Sequence, residues 1–284
     1  MRLLDPTACE LGEGAFWHPE RQEFLWLDIL GRRLHSTAAP SRDLPELTSA
    51  MAWVDRDRLL LSTETGLWLY DLGSGTMGEQ LVAIADDAPD LRSNDGRADP
   101  WGGFWASTMG KAAQGRAGAI PRWFRGELRV IRDGLTIPNA ICFDRRRACA
   151  YFADTAAGTI WRLPLDPATG WPAGEAEVFL DLAPEGLSPD GAVTDAEGNL
   201  WNAQWGAGRV ACYDPGGRLV ASVPVPARQA SCPAFGGAGL SDLMVTTAWE
   251  GLDPEARRAD PQAGCTFATT LAARGLPEPR VLLP

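Results

Sequence analysis

Histidine is nearly absent from this chain of 284 residues, which holds only His18 and His35. That scarcity removes the usual general base and the commonest transition-metal ligand, so a His-rich metal site or a Ser-His-Asp triad is hard to build. Any catalysis has to draw on carboxylates and amides, with or without a metal. The six cysteines (Cys9, Cys142, Cys149, Cys212, Cys232 and Cys265) form no Cys-x-x-Cys pair, and none stands at zinc-ligand spacing from a histidine. A chain of this size does not need disulfides, and reduced, buried thiols are expected. Basic excess is missing as well. Lys plus Arg total 26 against 37 Asp plus Glu, a net charge of -11, which does not suit the displacement of counterions from a nucleic acid. No apolar run approaches a membrane span, and Met1-Arg2-Leu3-Leu4-Asp5-Pro6 lacks an apolar signal core. The expectation is a cytoplasmic protein, a monomer or weak dimer, with no nucleic-acid or membrane partner.

What the chain does have is tryptophan, 12 residues, and short β-prone runs punctuated by turn residues. Ser188 to Asp214 is the clearest stretch. Ala192-Val193-Thr194 reads as a strand, Asp195-Ala196-Glu197-Gly198-Asn199 as a turn, Leu200-Trp201-Asn202-Ala203 as a strand, and Arg209 to Tyr213 as a third strand after Trp205-Gly206-Ala207-Gly208. The same order recurs from Gly12, Ala50, Asn94, Pro138 and Cys232, at steps of about 40 to 50 residues, the range of propeller blades. A segment from Gly110 to Arg122 reads as an insertion in the third copy. No long amphipathic helix interrupts the series. Six sheets across residues 1–284 imply an all-β, single-domain, six-bladed β-propeller; a β-sandwich gives no reason for the repeat. Ring closure is expected to bring Arg2-Leu3-Leu4 and Arg280-Val281-Leu282-Leu283 into one blade.

Aligned on its first strand, each copy offers an equivalent position. Glu13, Asp95, Asn139 and Asp190 occupy it, with Cys232 near it in the sixth copy. The innermost strands of a propeller surround a central channel, so these side chains converge at one mouth. Asp or Asn beside Gly is ordinarily a turn residue, and Asp99, Asp144 and Asp195 are read that way. Glu13 is not a turn type, and recurrence at one phase marks the group. Their oxygens suit a hard divalent cation in the channel.

The blocks Leu11-Gly12-Glu13-Gly14-Ala15-Phe16-Trp17, Arg92 to Pro100, Trp105-Ala106-Ser107-Thr108-Met109, Pro138-Asn139-Ala140, Ser188-Pro189-Asp190-Gly191 and Phe235-Gly236-Gly237 resemble signature blocks of the SMP-30/gluconolactonase/regucalcin family, in family order. The resemblance implies a six-bladed propeller with one divalent metal (Ca, Zn, Mn, Mg or Fe) and a sugar lactone as the small-molecule partner. It implies Glu13, Asn139 and Asp190 as metal ligands, Arg92 and Asn94 as substrate-pocket residues, and Asp95 in support. Where some relatives place an acidic pocket residue, the nearest match is Arg122, a departure that changes which hydroxyls can be held. The expected reaction is metal-dependent hydrolysis of a pentono- or hexonolactone, with Asp190 as general base. A calcium-binding regulatory propeller without turnover is the alternative, and a purely structural channel is a third reading. Trp17, Trp101 and Trp205 are read as blade packing.

Overall fold

A computed structural model describes all 284 residues, Met1–Pro284. Six antiparallel sheets follow one another as the blades of a β-propeller. Blade 1 runs outward from Gly12–His18 through Glu23–Asp28 and Arg33–Ser36 to Arg42–Asp43. Blade 2 begins at Thr48–Trp53, blade 4 at Pro138–Asp144, blade 5 at Ser188–Thr194 and blade 6 at Ala230–Gly236. Blade 3 departs from this regularity: its innermost strand is split into Leu91–Ser93 and Arg97–Ala98, and its second into Phe104–Trp105 and Thr108–Gly110.

The blades are glued by large side chains facing their neighbours. Trp105 of blade 3 meets Phe143 of blade 4 edge-on at 5.2 Å, and Trp201 of blade 5 meets Phe235 of blade 6 at 5.7 Å. Trp201 is also anchored by its Nε1–H, which donates to Asp195 Oδ2 at 2.9 Å. The same Asp195 accepts from the backbone N–H groups of Glu197 and Asn199, so it shapes the hairpin. The cysteines are free and buried, and no helix is long and apolar enough to cross a membrane.

Three structural expectations need correction. Blades 1, 2, 4 and 5 each carry a fourth, outer strand that the pattern did not reveal: Arg42–Asp43, Thr76–Ala83, Glu177–Asp181 and Leu219–Pro224. These pair along one edge and are largely exposed, so they need no apolar alternation. Gly118–Phe124, which overlaps the expected insertion, is the third strand of blade 3, leaving only residues 111–117 as a loop. Finally, Arg2–Asp5 does close blade 6 by pairing with Thr266–Thr270, but Arg280 to Leu283 forms no strand. Pro277, Pro279 and Pro284 lack the N–H a ladder requires.

The C-terminal tail instead crosses one face of the ring. Gly275 bridges Asp195, Trp53 Nε1 donates to the Glu278 carbonyl at 2.9 Å, and the Val281 and Leu282 N–H groups donate to Trp53 and Gly102. Glu278 thereby points into the channel and pairs with Arg97 at 2.8 Å, both side chains largely buried. Removing one partner of such a pair leaves an uncompensated buried charge. Glu278→Ala is expected to destabilise the protein by about 3–5 kcal/mol, read as a lower urea midpoint, and Arg97→Met with Glu278→Leu should recover most of it. An unchanged midpoint in Glu278→Ala would contradict this reading of the tail.

Candidate active site

The five innermost strands that are unbroken lose register near their beginnings: between Glu13 and Phe16, Thr48 and Ala50, Asn139 and Cys142, Pro189 and Ala192, and Ala230 and Pro233. In blade 3 the same place is the gap at Asn94-Asp95-Gly96. A bulge re-aims the side chain beside it, and here it turns the strand entrances toward the channel. The residue after Glu13 is Gly14, at φ 59°, and the residue after Asn139 is Ala140, at φ 55°. Glycine takes that conformation freely, whereas Ala140 stores strain of about 1–3 kcal/mol. Asp190 is followed by Gly191, where a Cβ would lie 2.8 Å from the Ser231 carbonyl of blade 6. The candidate ligands thus lie within the first strands, at their second or third residue, rather than just before them.

Two aspartates brace these entrances from the second strands. Asp28 accepts from the N–H groups of Glu10 and Leu11, just before Glu13. Asp154, its counterpart in blade 4, accepts from Thr136 and Ile137, just before Asn139. In blade 5 the fully buried Asn202 donates to the Asp190 carbonyl at 2.8 Å.

A hydrogen-bond relay links blades 3, 4 and 5. Arg92 Nη1 donates to Asn94 Oδ1 at 2.8 Å, and Asn94 Nδ2 donates to Asn139 Oδ1 at 3.1 Å. Asn139 Nδ2 then donates to Thr155 Oγ1 at 2.8 Å, whose hydroxyl donates to the Pro189 carbonyl at 2.7 Å. Arginine only donates and a carbonyl only accepts, so the direction of the whole chain is forced. Asn139 Oδ1 is therefore the oxygen turned away from Thr155, with one lone pair beyond its bond to Asn94.

Glu13, Asn139 and Asp190 are all buried, and they line one cavity of about 450 Å³ together with Arg92 and Asn94. That volume is in the range of small-molecule sites. Burial pushes the Glu13 carboxyl up to about 8, with nearby Asp95 adding to the effect and Arg92 opposing it. Burial and the Glu13 charge push Asp190 well above the ordinary carboxylate range. Arg92, itself pushed down by burial, is held up by Glu250, Glu13 and Asp190. Two buried carboxylates and an amide oxygen, with little countercharge, are a donor set that fits a hard divalent cation.

Asp95 stands apart from that set. Its carboxylate accepts from the N–H groups of Gly96 and Ile141, tying blade 3 to blade 4. Cys232 lies deeper, in a small void with Asp95, Arg97 and Glu278. Asn94 lines the cavity, yet both Nδ2 hydrogens are committed, to the Pro138 carbonyl and to Asn139. The expectation for Arg122 fails. Its guanidinium is fully buried inside blade 3, where Nε donates to Asp99 Oδ2 at 2.7 Å and the plane lies over Phe124 and Trp171 at 4.5 and 4.3 Å. Strand Gly118–Phe124 carries it away from the channel mouth.

Sequence reasoning missed Lys111, Thr155 and Glu250, which line the cavity, and Trp205, which it read as packing. Thr155 carries no pattern of its own. Lys111 did have a signal, since it is the chain's one lysine. A larger cavity, about 660 Å³, opens at the other mouth against Leu276, Pro277 and Pro279 of the tail. Its buried Arg97–Glu278 pair is already satisfied, so it lacks the converging, undercompensated oxygens of the first.

Residues 11–249 match the family model described as SMP-30/Gluconolactonase/LRE-like region. A protein of Rhizobium meliloti (strain 1021) named for sugar lactone lactonase activity is 42% identical over 98% of this chain and 96% of its own length. The 6-deoxy-6-sulfogluconolactonase of Pseudomonas putida is 33% identical over 95% of this chain and 94% of its own. The crystal structure of regucalcin from Agrobacterium tumefaciens str. C58, described as a calcium-binding protein, superposes with a TM-score of 0.96 at 39% identity, covering 99% of this chain and 97% of that one.

The raised carboxyls set a pH dependence for the chelator-treated protein. In the folded state they hold protons that the unfolded chain releases at its ordinary carboxylate pKa, so their contribution is full at low pH and is lost as pH rises, for Glu13 toward about 8. The thermal midpoint of chelated protein is expected to fall between pH 5 and pH 8, and Ca²⁺ or Mn²⁺ to restore it at pH 8. A profile that is flat in chelated protein and indifferent to either cation would contradict this electrostatic account.

Proposed function

Because the chain belongs to the SMP-30/gluconolactonase/LRE-like family, we propose that it hydrolyses a sugar lactone, a pentono- or hexonolactone, to the aldonic acid in a divalent-metal-dependent reaction. The observation that carries this reading is the convergence of Glu13, Asn139 and Asp190 from three blades onto one small-molecule cavity. The lactonases named among its relatives support it. Glu13, Asn139 and Asp190 would hold the cation. When bound, it supplies Lewis acidity toward a carbonyl and a lowered pKa for a bound water.

The protein's own groups supply the rest. Asp190 takes a proton from the attacking water as its oxygen bonds to the lactone carbonyl carbon. As the ring C–O bond breaks, that proton passes to the departing ring oxygen, leaving the open-chain acid. Arg92 has Nη1 committed to Ser93 and Asn94, and its remaining N–H groups are available to the carbonyl oxygen as charge collects there. Asn94 acts by positioning: it fixes the Asn139 amide rather than the substrate. Burial of Glu13 and Asp190 keeps bulk water from the reacting end.

The calcium-binding description of the Agrobacterium regucalcin supports a second reading, calcium binding without turnover. A panel of pentono- and hexonolactones, followed by proton release after subtraction of spontaneous opening, separates the two. Metal-restored turnover is expected in the native protein, with a loss of about 10²–10⁴-fold in Asp190→Asn. Binding of calcium with no lactone turned over under any of Ca²⁺, Mg²⁺, Mn²⁺, Fe²⁺ or Zn²⁺ would replace the lactonase reading with the second one.

A further inference from the structure

Twenty-five of the 26 basic side chains are arginine, and the one lysine, Lys111, lines the candidate cavity. It directly follows strand Thr108–Gly110, and its N–H donates to the Asp90 carbonyl at 2.8 Å. Its Nζ donates to Glu64 Oε2 at 2.7 Å, while Glu64 Oε1 accepts from the Leu47 N–H at 3.2 Å. The ammonium is thus tethered by a carboxylate that the backbone of blade 2 holds in turn. Of its three donors, one is taken by Glu64, and two remain for a ligand.

Depth decides what those donors meet. Glu13 and Asp190 are 8% and 5% exposed, whereas the Lys111 side chain is 39% exposed, at the rim of the same cavity. A lactone whose carbonyl reaches the buried carboxylates points its far carbons at this rim. Arginine offers a rigid planar fork, and lysine a compact charge whose donors rotate to suit a hydroxyl on a flexible arm. Resting on the lactonase reading, we propose that Lys111 is a specificity-determining residue that donates to the exocyclic oxygen of a sugar lactone, with Glu64 as its positioning residue.

D-Glucono-1,5-lactone and D-xylono-1,5-lactone differ only by the exocyclic hydroxymethyl group, so they isolate the contact. Lys111→Met is expected to lower kcat/KM for the gluconolactone about tenfold more than for the xylonolactone, mainly through KM, as loss of a charge-assisted hydrogen bond predicts. Glu64→Gln should shift the same ratio in the same direction, by less. Equal losses on both lactones, or none, overturn the proposal. A second readout is independent of turnover. Lysine labelled with ¹³C at Cε leaves all three N–H donors in place and gives one side-chain NMR signal, because Lys111 is the chain's one lysine. Titration with D-gluconate should move the Lys111 signal saturably. A Lys111 signal that stays put overturns the proposal. If neither lactone is turned over by the native protein, the lactonase reading fails while this signal still decides the role of Lys111.

Discussion

Two carboxyl groups share a buried pocket, and the cost of charging them there governs the architecture around it. Glu13 enters from blade 1 and Asp190 from blade 5, each raised by burial and by the other carboxylates nearby. Bringing them together opposes folding unless protons or a cation offset the repulsion. The surroundings read as the means of holding them there. Register breaks re-aim the strand entrances, Asp28 and Asp154 clamp the approach segments, and Asn202 fixes the Asp190 backbone. The relay from Arg92 to the Pro189 carbonyl turns the Asn139 amide oxygen in the same sense. Preorganisation of this kind is what allows a site to act without reorganising during reaction.

The two ends of the channel are built differently. At the entrance to the innermost strands, polar groups are left with unmatched charge and open onto a cavity. At the far end the tail seals the ring, and Arg97 and Glu278 neutralise one another. Between them lies Asp95, whose carboxylate is taken up by two backbone N–H groups. A strand of seven residues spans about 23 Å, so one propeller carries an open mouth of unmatched carboxyls and a sealed, neutralised mouth with little overlap. The Arg2–Asp5 strand, completing blade 6, closes the circle on which both depend.

The inner three strands of most blades were legible in the sequence because they are buried and bounded by turn chemistry. Leu200-Trp201-Asn202-Ala203 and Ala150-Tyr151-Phe152-Ala153 could hardly be read otherwise. The outer strands were not legible: Leu219–Pro224 lies almost wholly in solvent and leaves no periodic trace. Gly118–Phe124 was hidden by the split strands before it, which broke the repeat spacing. That Glu13, Asn139 and Asp190 share one cavity was legible because propeller symmetry converts sequence phase into spatial convergence, although the phase alone also marked Asp95 and Cys232 and only the family resemblance narrowed the set to these three. Arg122 was misplaced because a match counted along the chain cannot tell which face of a strand a side chain takes. Lys111 and Thr155 depend on loop geometry and on contacts between blades, which a single blade's pattern does not contain.

Anomalous diffraction from crystals of the protein grown with Mn²⁺ tests the central claim most directly. One strong peak is predicted within coordination distance of a Glu13 carboxylate oxygen, an Asp190 carboxylate oxygen and Asn139 Oδ1, and Asp190→Asn should weaken or abolish it. A peak at the tail end of the channel beside Arg97 and Glu278, or a fully formed peak that ignores Asp190→Asn, would contradict the account.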